Sequence, residues 1–402
     1  MVCSARERHA NWLTMAALAV DPVLAGKNSV PGKAADRTEN VMKAAIFNGP
    51  KQSLVIDEVE IDKPKGREVL IKSVACGVCH SDLHFADGVW PMMPPAILGH
   101  ETAGIVEQVG GDVTEFKSGD HVIACLALFC GSCEKCLSGN PHLCFNTGAT
   151  DRKSGEQPRM TYKGKPIQGI LSMAGFAEKQ LLHENAVVKI SDDIPLDRAA
   201  LVGCGVTTGV GAALNTAKVA PGSTVAVFGC GGIGLAAVQG ARIAGALQII
   251  AVDMFENKLA MARRLGATDT IDASSGDPVQ AINSLTGRGV DYSFECIGLK
   301  KVAEQAIACL KPGGTATVIG MIPLTEKVEM DAVSLLSERK LQGCFMGSSR
   351  FRLDAPRFLQ YYRQGRLNLD DMVTRKGSLA DIDEAFRAMK VGEVVRTVIM
   401  FD

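Results

Sequence analysis

Apolar positions along this chain follow two different periods. Between residues 42 and 125, short apolar or alternating runs stand at 43–47, 54–61, 68–76, 102–109 and 121–125, divided by Gly and Pro turns. That punctuation predicts a β-rich unit. After Pro195 strand patterns alternate with helical ones. Thr224–Phe228, 248–252, Val290–Glu295 and 315–319 read as strands, and 233–244, Glu256–Leu265 and 303–310 as helices. Gly266 is the expected helix stop. This rhythm predicts an α/β unit, a doubly wound parallel sheet covered on both faces. Beyond 347 the rhythm breaks. Helices are expected at 357–363 and 382–389, then a last strand at 394–401.

Two segments stand outside both periods. Residues 126–175 are irregular and rich in Gly and Cys, so they need a tie to hold a fixed shape. Residues 1–41 show little periodicity and are expected to form a poorly ordered extension. Arg6 and Arg8 precede an uncharged run there, as in a secretory signal. Glu7 and His9 interrupt the basic region, however, and no small-residue cleavage site follows, so a cytoplasmic protein is expected. The stretches 199–217 and 219–241 lack charge over about the length of a bilayer span. Their glycines and Pro221 fit buried soluble elements, and no membrane partner is expected.

Composition narrows the function classes. Lys plus Arg number 43 and Asp plus Glu 44, so the chain has no basic excess to meet phosphodiester backbones, and no nucleic-acid partner is expected. Thirteen cysteines in 402 residues are an odd number in a long chain, which argues against a disulfide scaffold.

The chemistry is concentrated in a few motifs. Gly229-Cys230-Gly231-Gly232-Ile233-Gly234 follows one strand and opens a helix. The spacing permits a tight turn, lets the backbone approach a pyrophosphate, and offers a helix N-terminus to it. Asp253 ends the next strand, where a carboxylate holds ribose hydroxyls and repels a 2′-phosphate, so NAD is expected over NADP. Cys130, Cys133, Cys136 and Cys144 can close a tetrahedron around zinc. Four thiolates leave no open position, so that role is structural. Three further pieces are ambiguous singly: Gly77-Val78-Cys79-His80-Ser81-Asp82, Leu98-Gly99-His100-Glu101 and Gly203-Cys204-Gly205-Val206-Thr207-Thr208.

In order and spacing, from about Met42 to Asp402, these motifs resemble the zinc-dependent medium-chain alcohol dehydrogenases. The resemblance implies a GroES-like β-rich catalytic domain over 42–207 and 346–402 with two zinc sites, and a Rossmann coenzyme domain over 208–345. It implies a catalytic zinc on Cys79, His100 and Cys204, with Glu101 and Asp82 behind it. It also implies a proton relay through Ser81 and His84, and cofactor contacts by His80, Thr208, Lys258 and Arg396. Two thiolates and one imidazole around zinc(II) are formally neutral with one open position, which suits an alcohol oxygen.

The implied reaction moves a hydride between a primary aliphatic, aromatic or allylic alcohol and NAD. The apolar segment 89–95, with Leu126, Leu128 and Phe129, would line the alcohol pocket. Gly148 stands where the branch that oxidises the glutathione adduct of formaldehyde carries an arginine, which argues against that substrate. The long stretch from Cys144 to Cys204 resembles the dimeric branch, so a homodimer is expected. A zinc-free quinone or enone reductase and a non-catalytic zinc adaptor are the rival readings; the full ligand set opposes the first and the glycine motif the second.

Overall fold

The computed structural model describes residues 40–402. The expectation for 1–41 therefore lies, but for its last two residues, outside the described residues.

The β-rich part is built around the strand Glu68–Gly77. It pairs antiparallel with Glu101–Val109, Lys179–His183 and Thr397–Met400. Register decides what meets at its C-terminal end: Gly77 lies opposite both Glu101 and Val398. Three segments far apart in sequence thus converge on one point. A second six-stranded sheet, containing Val41–Phe47 and Val55–Ile61, packs beside it.

The other unit is a six-stranded sheet with every pair parallel. Its spatial order is Asp269–Asp272, Gln248–Asp253, Thr224–Phe228, Val290–Glu295, Leu310–Val318, Lys340–Gly343. The order in which successive strands are added switches side between Thr224–Phe228 and Val290–Glu295, and ligands bind in the crevice at such a switch point. Helix Gly232–Ala244 leaves the first of these strands and buries Leu235, Ala236, Val238 and Ala241. Helix Glu256–Leu265 ends at Gly266, whose φ of 118° is left-handed, as the stop signal requires.

Several elements depart from the sequence expectation. The irregular segment after 126 contains the short helix Glu134–Leu137 and the small strands Met160–Tyr162, Lys165–Pro166 and Gln168–Gly169. Helix Phe351–Arg363 begins six residues before the expected start at 357 and carries Pro356 inside it. Its buried stripe of Phe351, Ala355, Phe358 and Leu359 outweighs the hydrogen bond that Pro356 cannot donate. Helix Pro278–Thr286 and strand Asp269–Asp272 lie outside the expected elements, although Asp277, Pro278 and Gly287 mark the ends of the helix. Helix Lys300–Ala308 precedes a strand, Leu310–Val318, that starts five residues before its expected onset.

Among the described residues, no single helix is long and apolar enough to cross a membrane. The pair Leu196–Val202 and Gly205–Thr216 is bent by 51° at Gly203-Cys204.

Candidate active site

Cys79 caps the helix His80–Ala86, directly after the central strand. His100 immediately precedes the strand Glu101–Val109, and Cys204 sits at the bend between Leu196–Val202 and Gly205–Gly211. One potential ligand atom from each of Cys79, His100, Glu101 and Cys204 lies within 4.8 Å of the others, and all four residues are buried. Close packing makes this convergence possible. A Cβ on Gly77 would come within 2.1 Å of the Glu101 carboxylate, and one on Gly203 within 2.8 Å of the Ala124 carbonyl.

The surroundings of His100 fix its orientation. Its Nδ1 lies 3.0 Å from Asp82 Oδ1, and its buried Nε2 has no hydrogen-bond partner among the described residues. Asp82 also accepts the amides of Cys79 at 3.2 Å and Gly99 at 2.9 Å. One buried carboxylate therefore ties two of the three expected ligand segments together. An unpartnered imidazole nitrogen beside two sulfurs is the signature of a metal position, and this donor set fits zinc.

Charge in the cluster is strained without a cation. The Cys204 thiol donates toward Cys79, which holds Cys79 well below the usual thiol range and pushes Cys204 well above it. Burial works against protonation of His100, yet the charge and hydrogen bond of Asp82 lift it well above its ordinary value. Burial raises Glu101 to about 8, with the nearby Arg396 guanidinium opposing. Arg396 Nη2 stands 3.1 Å from Glu101 Oε1, and its Nη1 donates to the Val78 carbonyl at 2.9 Å.

Ser81 Oγ lies 3.8 Å from Cys79 Sγ, so one relay candidate touches the metal cluster. His84 is one turn further along the same helix and half-buried. His80 is exposed, its ring centroid 6.3 Å from that of His84.

The second sulfur cluster is equally compact. Cys130, Cys133, Cys136 and Cys144 bring their sulfurs within 4.8 Å of one another. Backbone amides of Ser132, Cys133 and Asn146 point at these sulfurs at 3.3 to 3.4 Å, which favours thiolates. The Ser132 amide leads in lowering Cys130 to about 6, whereas burial raises Cys136 to about 12. Four sulfurs that cannot all ionise unaided fit a divalent cation.

The dinucleotide elements meet the metal cluster through Arg396. A Cβ on Gly232 would lie 2.4 Å from its Nη2, so the guanidinium rests against the first residue of the glycine-loop helix. Gly231 has open space where a side chain would stand, the cradle a pyrophosphate needs. Gly234 is required by packing, because its Cβ would meet the Gly229 carbonyl at 1.7 Å. Ile233, beside it, is half-buried in the first turn. Asp253 Oδ2 accepts the Cys230 amide at 2.7 Å, which pins the carboxylate to the glycine loop. Thr208 is buried, its hydroxyl 3.5 Å from Met346 Sδ, and the Lys258 ammonium lies 4.9 Å from the Phe255 ring centroid.

Around the expected alcohol pocket, Trp90 and Met92 are half-buried and pack on the cluster containing Leu83 and Phe85, while Met93 is 71% exposed. Leu128 is buried, and Leu126 and Phe129 are half-buried.

Comparison with known proteins agrees with this geometry. Residues 65–192 match the alcohol dehydrogenase GroES-like domain and residues 232–360 the zinc-binding dehydrogenase family. An alcohol dehydrogenase zinc-binding domain protein from Burkholderia ambifaria is 36% identical, with a TM-score of 0.85, covering 90% of this chain and 99% of its own. Benzyl alcohol dehydrogenase from Acinetobacter calcoaceticus is 32% identical with the same TM-score and the same coverages. A zinc-binding dehydrogenase from Sinorhizobium meliloti 1021, solved with NADP, is 29% identical with a TM-score of 0.76, again covering 90% and 99%. With its two-domain fold of a GroES-like unit and a parallel Rossmann sheet, this oxidoreductase chain belongs to the zinc-dependent medium-chain alcohol dehydrogenase family.

Proposed function

We propose that the protein is an NAD-dependent alcohol dehydrogenase that interconverts a primary aliphatic, aromatic or allylic alcohol and its aldehyde. One observation carries this reading: Cys79, His100 and Cys204 gather beside a guanidinium that also touches the glycine-loop helix. Cys79, His100 and Cys204 would hold zinc, which would supply a Lewis acid for the alcohol oxygen, and a bound dinucleotide would supply the hydride acceptor.

The chain's own residues do the rest. Asp82 orients His100 so that Nε2 faces the sulfurs. Ser81 takes the alcohol proton, and His84, on the same helical face, delivers it to solvent. Burial keeps His84 below its ordinary pKa, so at neutral pH it is free to accept that proton. Glu101 stays behind the ligands, paired with Arg396. Asp253 addresses the ribose, which favours NAD. Thr208, His80 and Lys258 flank the nucleotide. Cys130, Cys133, Cys136 and Cys144 hold a second, structural zinc.

The catalytic domain is taken as 42–207 with 346–402, and the coenzyme domain as 208–345. We place the protein in the cytoplasm as a homodimer. Among the described residues the outer edge of Lys340–Gly343 is unpaired, and Leu336, which precedes that strand, is 84% exposed; both support a second copy there.

The test is a panel of alcohols, with and without thiol cofactors, followed at the NADH absorbance alongside a metal count. Two zincs per chain and reduction of NAD in preference to NADP are expected. Cys79→Ala and His100→Ala should abolish turnover yet bind NADH within about threefold of wild type, a spread under 1 kcal/mol. Unchanged turnover in either variant refutes the assignment.

A further inference from the structure

The turn after helix Ile382–Lys390 lies where the two units meet. The helix belongs to the β-rich part, for Ile382, Phe386 and Met389 pack in one apolar cluster with Leu83 and Phe85. Lys390 Nζ also stands 2.7 Å from Asp87 Oδ1, at the end of the helix that Cys79 caps. Gly392 follows, buried, with a left-handed φ of 74°.

Two side chains of the parallel-sheet unit close on this glycine. Asn257 Nδ2 donates to the Gly392 carbonyl at 3.1 Å. Asn257 Oδ1 accepts the Lys258 amide at 3.0 Å, which fixes the way the side-chain amide points. A Cβ on Gly392 would come within 2.8 Å of Phe255 Cε2 and 2.9 Å of Cδ2 and Cζ, so the ring takes the room that a side chain would need. Phe255 is 39% exposed, and Asn257 is exposed as well. The contact can therefore part without uncovering a core.

Each side of the contact leads directly to a group that the proposed function gives to the cofactor. Asp253 Oδ1 accepts the amides of Met254 at 2.8 Å and Phe255 at 3.1 Å, so Phe255 is pinned to the ribose carboxylate. Four residues past Gly392 stands Arg396, whose guanidinium rests against Gly232. Asp253 returns to the glycine loop through the Cys230 amide at 2.7 Å. These contacts close a ring. Two arcs join Asp253 to Arg396, one through the glycine loop and the other through Phe255, Asn257 and Gly392. A nucleotide that spans Asp253 and Arg396 has an arc on either side. We propose that Phe255 and Asn257 form a strap on the Gly392 turn, and that this strap parts to let the dinucleotide enter or leave. This rests on the dinucleotide reading above. A strap of this kind sets rates more than affinity, because closure slows entry and exit alike.

The test follows NADH fluorescence by stopped flow on the holoprotein. Asn257→Ala removes the donor to Gly392. Entry and exit of NADH should each become about fivefold faster, as expected from losing one hydrogen bond, while Kd stays within about twofold of wild type. Faster exit with unchanged entry, and so a weaker Kd, would make Asn257 a support of the bound state only. Unchanged rates would leave the contact with no part in exchange; either result overturns the proposal. Wild-type protein that binds no NADH would overturn the dinucleotide reading, and the strap with it. If Asn257→Ala fails to fold, Phe255→Ala opens the same contact, and the same paired rise in both rates is expected.

Discussion

At the scale of single residues, the metal cluster shows how much is carried by a group that is not a ligand. Asp82 accepts from His100 Nδ1 and from the amides of Cys79 and Gly99. It fixes the imidazole tautomer and the path of both ligand segments. Asp82→Asn keeps the shape but cannot accept at both oxygens. Its amide also faces a backbone N–H or the histidine proton with a donor. Zinc should therefore be held about 10- to 100-fold more weakly, as read by competition with a chromogenic chelator. A variant that keeps wild-type affinity would leave Asp82 with no part in the site. Singly, the motifs around Cys79, His100 and Cys204 are ambiguous in the sequence, and only the family resemblance joined them into one ligand set. Glu101 was legible only as a residue behind them. Its place within reach of the cluster depends on Gly77 having no side chain, which spacing does not reveal.

At the scale of elements, the irregular segment after 126 needs the tie that its pattern implied, and it has two. One is the four-sulfur cluster, readable from spacing. The other is a pair of arginines, and nothing in the sequence marked them. Arg152 donates to Glu68 at 2.6 Å and to Asp62 at 2.5 Å, and Arg159 reaches Glu68 at 2.7 Å. These contacts bridge some ninety residues of chain, a distance over which period and motif carry no information. They also set a pH dependence. Burial opposes ionisation of Glu68 and Asp62, but Lys65 and then Arg152 hold Asp62 below its ordinary value, and Arg152 and Arg159 do the same for Glu68. Their stabilisation is therefore complete above the ordinary glutamate value of 4.5 and is lost as pH falls through the lowered folded values. Arg152→Ala should cost about 2 kcal/mol at pH 7, measured by urea unfolding, and markedly less near pH 3. A cost that is equal at both pH values would mean that packing, not charge, anchors the loop.

At the scale of the whole molecule, the two units were visible from the change in hydrophobic period near Pro195, but the joint between them was not. Arg396 reads in sequence as a solvated charge on a last strand, and only the family resemblance gave it a phosphate. In the structure its side chain is 5% exposed. It holds Glu101 on one side and rests against Gly232 on the other, and its Nε has no hydrogen-bond partner among the described residues. An unpaired cationic donor at the start of the glycine-loop helix is where a pyrophosphate is best received. Arg396 thus serves two demands at once, neutralising a buried carboxylate and presenting a donor to the cofactor, and the two can be separated. Arg396→Met keeps the bulk and removes the charge. Measured at about pH 9, above the value of about 8 to which burial raises Glu101, it takes away the partner of that ionised carboxylate and should destabilise the protein by about 3–5 kcal/mol. Adding Glu101→Gln removes the stranded charge, so thermal unfolding should recover most of that loss. NADH affinity should stay about tenfold or more below wild type in both variants, since neither restores the donor. If the double variant regains nucleotide binding along with stability, Arg396 acts only as a counter-ion, and the glycine loop must meet the phosphates without it.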